Sequence, residues 1–334
     1  MLIEAESRAS CLEKRVPAAD STGKTNGAKI KNGCLLIEKL IKKAPHYLNG
    51  RGTRKGERVE FSVDYVYSYQ GKIDSLEMIH MLHQFSRNEL AIGKEGLDIL
   101  SNTTVAVLGI GGVGSFAVEA LARTGIGRLI LVDKDDIDIT NINRQLPALL
   151  STVGQPKADL MKNRIKDINP DCEVIALKMF YTEETYEEFF DLKPDFVVDA
   201  SDTIVYKIHL MKECLKRGIP IISSMGAANK TDPTRLRIAD ISKTHTDPIA
   251  KVIRTRLRKE GITKGIPVVF SDESPIVIRE DVRKVVGNEN AEIRKAKMPP
   301  SSNAFVPSTV GLFMASHVIN TLLKEIEIKR VKDK

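Results

Sequence analysis

The chain has 334 residues, of which 42% are hydrophobic and 28% are charged, and its formal net charge is +7 at pH 7. This length and balance predict a globular, enzyme-sized protein of one large domain or two. The longest apolar stretch, residues 304–323, is interrupted by proline and polar residues, and the N-terminus carries acids where a secretory signal needs an apolar core. We therefore expect a cytoplasmic protein without a membrane partner.

Four cysteines, Cys11, Cys34, Cys172 and Cys214, are widely spaced and form no C-x-x-C pair. This spacing argues against a zinc ribbon, a disulfide framework and a thioredoxin-type redox motif. We expect these thiols to be buried or incidental.

Residues 1–80 are polar and glycine-rich, and apolar periodicity is confined to CLLIEKLIKK. This composition predicts a mostly disordered extension. Met78 and Met81 are alternative initiators, so two interpretations stay open. Either the native protein begins near them, or the extension is an ordinary flexible segment.

Helices and strands alternate from Ser86 onward. EGLDILSNT leads into a predicted strand over residues 104–110, a helix over 113–124 closed by Gly125, and a strand that ends at Asp133. Further helix and strand patterns follow to Gly226, ending with the strand PIISSMG. Such alternation predicts an α/β fold with a doubly wound, mostly parallel sheet, which is Rossmann-like. No internal repeat is visible.

The pattern of predicted strands and helices changes after Gly226. TRLRIADIS and IPVVFSDESP read as strands on either side of a basic helix, DPIAKVIRTRLRKEG, and VGLFMASHVINTLL reads as a closing helix. We therefore expect a C-terminal α+β portion over residues 231–334, after a core over residues 81–230. Basic residues cluster in this portion, where a solvated face and a nucleic-acid contact are both open interpretations.

A glycine-rich turn lies between the first predicted strand and helix, with Gly109, Gly111, Gly112 and Gly114 followed by Ser115. Missing side chains let a backbone turn tightly and approach a phosphate, which then lies at the positive end of the next helix. The position between strand and helix strengthens an otherwise weak motif. We expect a nucleotide to bind here.

Acids and cations around this turn decide between a redox cofactor and ATP. The residues after the second and fourth strands include Asp133, Asp135, Asn141, Arg144, Gln145, Lys157, Asp199 and Asp202. A triphosphate needs cations to balance its charge, and an acid is a natural ligand for Mg²⁺. A nicotinamide enzyme does not need these additional acids and cations around the phosphates, so the sequence favours ATP with Mg²⁺.

The motif series from residue 85 to the C-terminal helix resembles the ubiquitin-activating-like (ThiF/MoeB/HesA) superfamily of adenylating enzymes. The resemblance implies that Asp133 holds the adenosine ribose and that Asn141, Arg144 and Lys157 line the α and γ phosphates. It also implies that Asp202 binds Mg²⁺.

Arg87, in FSRNELAIG, resembles an arginine that crosses a dimer interface in this superfamily to reach the γ-phosphate of the other subunit. The resemblance therefore implies a homodimer. An ordinary helix-surface arginine is the alternative interpretation.

Further segments, among them MLHQFSRNELAIG, SSMGAANKTDPTR and PPSSNAFVPS, resemble the TcdA-type tRNA threonylcarbamoyladenosine dehydratases. That family adenylates the carboxylate of threonylcarbamoyladenosine beside the tRNA anticodon, and the carbamoyl group of the same substrate then displaces AMP. Proximity replaces a protein nucleophile in this reaction.

A tRNA substrate changes the interpretation of the basic clusters. Their members become candidate phosphate contacts, because RNA affinity rests largely on backbone charge. These are Arg254, Arg256, Arg258, Lys259, Arg294, Lys295 and Lys297. A monovalent cation, a sulfur-transfer partner protein and a proton-transfer role for His245 stay open.

Three other functions compete. Activation of a sulfur carrier or a ubiquitin-like C-terminus shares every ATP residue, but two C-x-x-C zinc pairs and a cysteine after the sheet are missing. Cys214 lies on a predicted amphipathic helix, which favours packing over thioester chemistry. A nucleotide-binding scaffold without turnover and a dehydrogenase are the remaining alternatives.

Overall fold

A seven-stranded sheet organises the chain. The computed structural model describes residues 82–286, 299–329 and 331. The strands are β1 Thr104–Leu108, β2 Arg128–Val132, β3 Glu173–Leu177, β4 Phe196–Asp199, β5 Ile221–Ser224, β6 Leu236–Asp240 and β7 Pro267–Ser271. Several predictions lie outside the described residues: the extension 1–80, the alternative initiators Met78 and Met81, Cys11, Cys34, Arg294, Lys295 and Lys297.

The helices of the described residues lie between and after these strands. They are α1 Ser86–Ser101, α2 Gly114–Thr124, α3 Lys157–Ile168, α4 Tyr186–Asp191, α5 Ile204–Arg217, α6 Pro248–Lys259, α7 Glu280–Val286 and α8 Phe305–Leu322. The predicted alternation of helix and strand is confirmed.

The strand order is β3-β2-β1-β4-β5-β7-β6. Every neighbouring pair is parallel except β6 with β7, so the predicted doubly wound, mostly parallel sheet is confirmed. The order reverses between β1 and β4, which are hydrogen-bonded neighbours with Leu108 opposite Asp199. Open α/β sheets bind ligands outside the carboxyl ends of the strands at such a switch point.

Apolar strands bury both faces of the sheet. Val105 and Val107 of β1 contribute to one core, which also contains buried residues of α1, α2, α3 and α8. Ala106 and Leu108 contribute to the second core, with residues of α4, α5 and α6. Successive side chains of a strand point to opposite faces, so a nearly continuous apolar run fits a strand covered on both sides.

The closing helix, α8, begins earlier than its predicted segment, at Phe305. Pro307 falls in its first turn, where a missing N–H is tolerated, and the amide of Val306 donates to Asn303 Oδ1 at 2.9 Å. By length and composition this helix is apolar enough to cross a membrane. It packs closely on α2, because a Cβ on Gly311 would lie 2.2 Å from the carbonyl oxygen of Val113.

The sheet continues beyond residue 230. β7 pairs with β5, and β6 pairs with β7, so both strands of the C-terminal portion extend the sheet begun by β1 to β5. The boundary between an adenylation core and a basic substrate-binding portion therefore stays a prediction about function.

Candidate functional site

Two glycines of the turn after β1 are needed by the turn itself. Gly109 has a φ of +86°, and a Cβ on it would lie 2.8 Å from the carbonyl oxygen of Ala200. A Cβ on Gly114 would lie 1.8 Å from the carbonyl oxygen of Gly109. Neither position accommodates a side chain, so the turn can close only with glycine.

Gly111 has room for a side chain, whereas Gly112 is closely approached. The nearest atom to a Cβ on Gly111 would be Gln145 Nε2 at 3.8 Å, and a Cβ on Gly112 would lie 3.3 Å from Arg144 Cγ. The backbone of these glycines therefore lines a cradle beside the two side chains that follow β2. A phosphate can approach such a backbone at the N-terminus of a helix.

Ser115 braces the turn from inside. Its fully buried hydroxyl donates to the carbonyl oxygen of Gly111 at 2.6 Å and accepts from the amide of Leu146 at 3.2 Å. The hydroxyl is engaged within the protein, and a contact of Ser115 with a nucleotide stays a prediction. Ser115 instead ties the glycine turn to the segment that carries Arg144 and Gln145.

Asp133 links the end of β2 to the glycine turn. Its carboxylate accepts from the amide of Ile110 at 2.6 Å and from the amide of Asp135 at 2.8 Å. Burial raises the pKa of this carboxyl above its usual range, although Lys157 opposes the shift. A carboxylate held in this way at the end of β2 keeps lone pairs for the hydroxyls of a ribose.

The segment between β2 and α3 carries Asn141, Arg144 and Gln145. Asn141 is buried and accepts the amide of Asp138, and Arg144 donates to the carbonyl oxygen of Thr140 at 2.7 Å. Burial lowers the pKa of Arg144. The buried Oε1 of Gln145 has no hydrogen-bond partner within the described residues. An unpaired buried acceptor beside an open glycine cradle fits a ligand that brings donors.

Lys157 begins α3 and reaches back to the same edge. Its side chain is 7% exposed, and its ammonium lies 3.3 Å from the carboxylate of Asp135, which is 55% exposed. The backbone amide of Lys157 also donates to the carbonyl oxygen of Asp135. A largely desolvated ammonium with a solvated partner can exchange that partner for a phosphate oxygen.

The two acids after β4 have different surroundings. Asp199 is fully buried, pairs with Lys207 at 2.9 Å and accepts the Ser223 hydroxyl at 2.6 Å. Asp202 is exposed at the tip of the same loop. Asp199 therefore supports the loop, whereas the carboxylate of Asp202 is accessible to solvent, and its predicted binding of Mg²⁺ stays a prediction.

Arg87 is not brought together with these residues in its own chain. The side-chain amide of Asn88 donates to the carbonyl oxygen of Arg123, in the last turn of α2. The glycine turn lies at the other end of this 11-residue helix, roughly 16 Å away at 1.5 Å per residue. Arg87 is exposed, and its action on a partner subunit stays a prediction.

The basic helix α6 has one buried and one charged face. Ala250, Ile253 and Leu257 are buried, whereas Arg256, Arg258 and Lys259 are exposed. Arg254 differs, because its guanidinium donates to the carbonyl oxygen of Thr244 at 2.9 Å and also to the Thr244 hydroxyl. The predicted RNA contact is therefore weakened for Arg254, which fastens α6 to the preceding loop.

Lys230 lies buried in the loop after β5, and its local sequence gives little sign of this burial. It is 2% exposed, and its ammonium donates to the carbonyl oxygen of Glu273 at 2.5 Å. Burial lowers its pKa. Asn303 donates to the carbonyl oxygen of Lys230 at 2.7 Å. In the sequence, Lys230 is simply a lysine after a predicted strand, in GAANKTDP. Its burial could not be predicted from this pattern, because the hydrogen-bond partners Glu273 and Asn303 lie more than 40 residues away.

The described cysteines are poor nucleophiles. Cys214 is fully buried, and burial raises the pKa of its thiol far above the usual range. Burial also raises the pKa of Cys172 to about 11. A cysteine nucleophile needs a lowered pKa and access, so the geometry supports the expected packing role.

His245 lies exposed in the loop before α6. Its ring packs edge-on against Phe270 and approaches the hydroxyl of Thr246 at 3.2 Å. These contacts hold the ring locally and give no sign of a proton-transfer role.

The sequence profile of the ThiF family matches residues 85–333. The tRNA threonylcarbamoyladenosine dehydratase of Bacillus subtilis is 82% identical over 254 residues, which are 76% of this chain and 100% of that protein. The protein of the same name from Escherichia coli is 36% identical over 242 residues, which are 69% of this chain and 90% of that protein.

A solved structure agrees with the fold. The crystal structure of the Escherichia coli tRNA N6-threonylcarbamoyladenosine dehydratase in complex with ATP matches with a TM-score of 0.63 and 32% sequence identity. The match covers 72% of this chain and 94% of that one. The nucleotide bound to that relative is the one for which the acids and cations after β2 and β4 are suited.

Proposed function

We propose that this chain, which belongs to the ThiF family, is an ATP-dependent tRNA threonylcarbamoyladenosine dehydratase. The most informative observation is that its similarity to the Bacillus subtilis dehydratase extends over the full length of that protein. Shared ATP residues alone would fit several adenylating enzymes. Similarity that also runs through the substrate-side loops favours the same substrate.

The reaction has two steps. A carboxylate oxygen of the threonylcarbamoyl group attacks the α-phosphorus of ATP, so that pyrophosphate leaves and an acyl adenylate forms. The carbamoyl group then attacks the activated carbonyl carbon, loses a proton and displaces AMP as the ring closes. The nucleoside loses one water overall, and the carboxylate oxygen that attacked the α-phosphorus leaves as part of AMP.

The chain's own residues supply positioning and charge. The backbone of Gly111 and Gly112 receives phosphate oxygens, and Arg144 and Lys157 balance the charge that develops as pyrophosphate leaves. Asp133 orients the ribose from the end of β2. The ring closure is intramolecular, so holding the threonylcarbamoyl group in the reactive geometry accelerates it without a protein nucleophile.

Asp202 would hold Mg²⁺ together with phosphate oxygens and water, and the ion would neutralise charge on the triphosphate. Within the described ranges no three His, Cys, Asp or Glu side chains gather in one group. A carboxylate completed by phosphates and water is the usual way in which proteins hold Mg²⁺. A monovalent cation near the nucleotide is a further element of this proposal.

The proposed partners are tRNA, a second copy of the chain and a sulfur-transfer protein. Arg256, Arg258 and Lys259 are exposed basic residues of α6, and such charges suit an RNA backbone. The distance of Arg87 from its own glycine turn favours a homodimer in which each subunit completes the other's site. Such an enzyme would act in the cytoplasm, where tRNA is modified.

Mass spectrometry of the modified nucleoside tests the proposal directly. Purified full-length protein is incubated with ATP, Mg²⁺ and tRNA that carries threonylcarbamoyladenosine. We expect the nucleoside to lose the mass of one water while AMP and pyrophosphate appear in equal amounts. Unchanged tRNA together with pyrophosphate release on a carrier peptide would instead identify a carrier-activating enzyme.

A further inference from the structure

Asn143 contacts both the phosphate-binding segment and a distant part of the chain. Its Oδ1 accepts from the guanidinium of Arg144 at 2.9 Å. Its Nδ2 donates to the carbonyl oxygen of Ser302 at 3.0 Å, across 159 residues of sequence. The two partners fix the orientation of the amide, because a guanidinium can only donate and a carbonyl oxygen can only accept.

The segment that contains Ser302 is fastened on its other side to the loop after β5. Ser301 donates its amide to Asn229 Oδ1 at 2.8 Å, and Asn229 donates its amide to the carbonyl oxygen of Ser301 at 3.0 Å. Asn229 has a φ of +58°, a left-handed conformation that asparagine tolerates better than most residues. Residues 301–303 and the β5 loop therefore form one connected unit.

Lys230 extends this unit to the loop after β7. Its backbone carbonyl accepts from Asn303 at 2.7 Å, and its ammonium donates to the carbonyl oxygen of Glu273 at 2.5 Å. The carboxylate of Glu273 accepts the amides of Thr231 and Asp232 at 2.9 Å and 3.0 Å. These loops follow the carboxyl ends of β5 and β7. Because both strands run parallel to β1 and β4, the loops lie at the same edge of the sheet as the nucleotide site.

We propose that Asn143 is a positioning residue that holds the substrate-side loops in register with Arg144 at the ATP phosphates. This inference rests on the proposed function, because adenylation needs the substrate carboxylate aligned with the α-phosphorus. The two halves of the site lie on segments far apart in sequence. Asn143 joins them through one side chain that contacts Arg144 and Ser302 at once.

Two substitutions separate the two hydrogen bonds. Asn143→Asp keeps an acceptor for Arg144 but loses the donor to Ser302, and the similarly sized Asn143→Leu loses both. Only the aspartate adds charge near the phosphates, so an effect common to both variants comes from the lost Ser302 bond. Asn320→Asp is the matched control, because exposed Asn320 likewise donates to a backbone carbonyl, that of Ser316 at 2.7 Å.

At saturating ATP and tRNA, we expect kcat to fall about tenfold in both variants, since small misplacements of reacting groups are costly. The KM for tRNA and the melting temperature should stay near the wild-type values, because Asn143 is exposed. A merely structural residue would lower the melting temperature without this separation of kcat from KM. Unchanged kcat, or a loss confined to KM for tRNA, would overturn the proposal.

Amide hydrogen exchange without substrate provides a readout that does not depend on the reaction. Residues 301–306 should exchange faster in both Asn143 variants than in wild-type protein and in Asn320→Asp. Unaltered exchange would refute the link itself, even if the wild-type enzyme dehydrates tRNA. Wild-type protein that leaves tRNA unchanged would refute the proposed function and, with it, the positioning role.

Discussion

Asp199 and Asp202 are three residues apart and have opposite environments. Asp199 is fully buried between Lys207, Ser201 and Ser223, which together satisfy its carboxylate. A buried charge is tolerated only when it is paired and hydrogen-bonded in this way. Asp202 is exposed beyond it. The first acid therefore shapes the loop, and the second lies exposed at its tip.

The charge of Asp202 should be essential for adenylation. Asp202→Asn keeps the side-chain volume but removes the charge proposed to hold Mg²⁺, so the rate of pyrophosphate release should fall about a hundredfold or more. The melting temperature should hardly change, because exposed substitutions usually alter stability by less than about 0.5 kcal/mol. Pyrophosphate release measured over a range of Mg²⁺ concentrations checks the first expectation.

Asp171→Asn is the matched control for this change. Asp171 is also exposed, but it precedes β3 at the opposite edge of the sheet. Its substitution should leave turnover near the wild-type value. Equal turnover in the two variants would place the Mg²⁺ ligand elsewhere.

Cys214 should be dispensable for turnover. Cys214→Ala removes a thiol that is fully buried in the core of α4, α5 and α6, and we expect a loss of about 1 kcal/mol in the free energy of unfolding from the small cavity. Turnover at a temperature where the variant is folded should stay near that of the wild type. Abolished turnover in folded Cys214→Ala protein would point to a thioester intermediate.

Helix α6 has 12 residues, which pack an apolar face against the core and expose basic side chains to solvent. Asp247 caps its N-terminus by accepting the amides of Ile249 and Ala250 at 2.9 Å and 3.0 Å. Burial raises the pKa of Asp247. The helix then buries its apolar face and leaves its basic residues in solvent, so charge reversal on the outer face should not disturb the core.

The outer face of α6 should contribute to tRNA affinity. Arg256→Glu combined with Arg258→Glu should weaken tRNA binding and reduce the slope of log affinity against log salt by about 1.5, which corresponds to two lost phosphate contacts. ATP affinity should stay unchanged, because both residues lie outside the nucleotide site. Fluorescence anisotropy of labelled tRNA at several salt concentrations measures both the affinity and the slope.

Lys162→Glu with Lys166→Glu is the corresponding control. It reverses the same amount of charge on α3, which belongs to the core on the other face of the sheet. A long-range effect of net charge alone would weaken tRNA binding equally in both double variants. A specific contact would weaken it mainly in the α6 variant.

The position of α1 separates Arg87 from the glycine turn of its own chain. The helix contains a kink at Gly93, whose φ of +67° and ψ of 179° are not helical. The segment before the kink lies against the C-terminal end of α2 through Asn88. Because the glycine turn lies at the opposite end of α2, we expect Arg87 to act on a nucleotide bound by another subunit.

Hybrid dimers should reveal this arrangement. Arg87→Ala and Asp202→Asn protein should each be nearly inactive, but equal mixing should restore about a quarter of wild-type turnover. Half of the dimers are then hybrids, and each hybrid has one intact site. Turnover after subunit exchange, verified with labelled subunits, provides the measurement. Exchange without recovery would mean that Arg87 acts within its own chain or not at all.

Local sequence patterns were sufficient for the architecture and for the kind of nucleotide. Apolar runs, helical periodicity and the glycine turn predicted the order of strands and helices, because each pattern depends on residues close together in sequence. The acids and cations after β2 and β4 predicted ATP for the same reason. Parallel strands bring their carboxyl ends to one edge, so residues that follow those strands had to meet there.

Only the tertiary structure distinguished residues of the same type. Asp199 is buried and Asp202 exposed, and Arg254 is bound to Thr244 whereas Arg256 faces solvent. The link from Asn143 to Ser302 was likewise absent from every local pattern. Burial and hydrogen bonding depend on neighbours that the fold brings from distant parts of the chain, so residue type and local spacing leave these roles undecided.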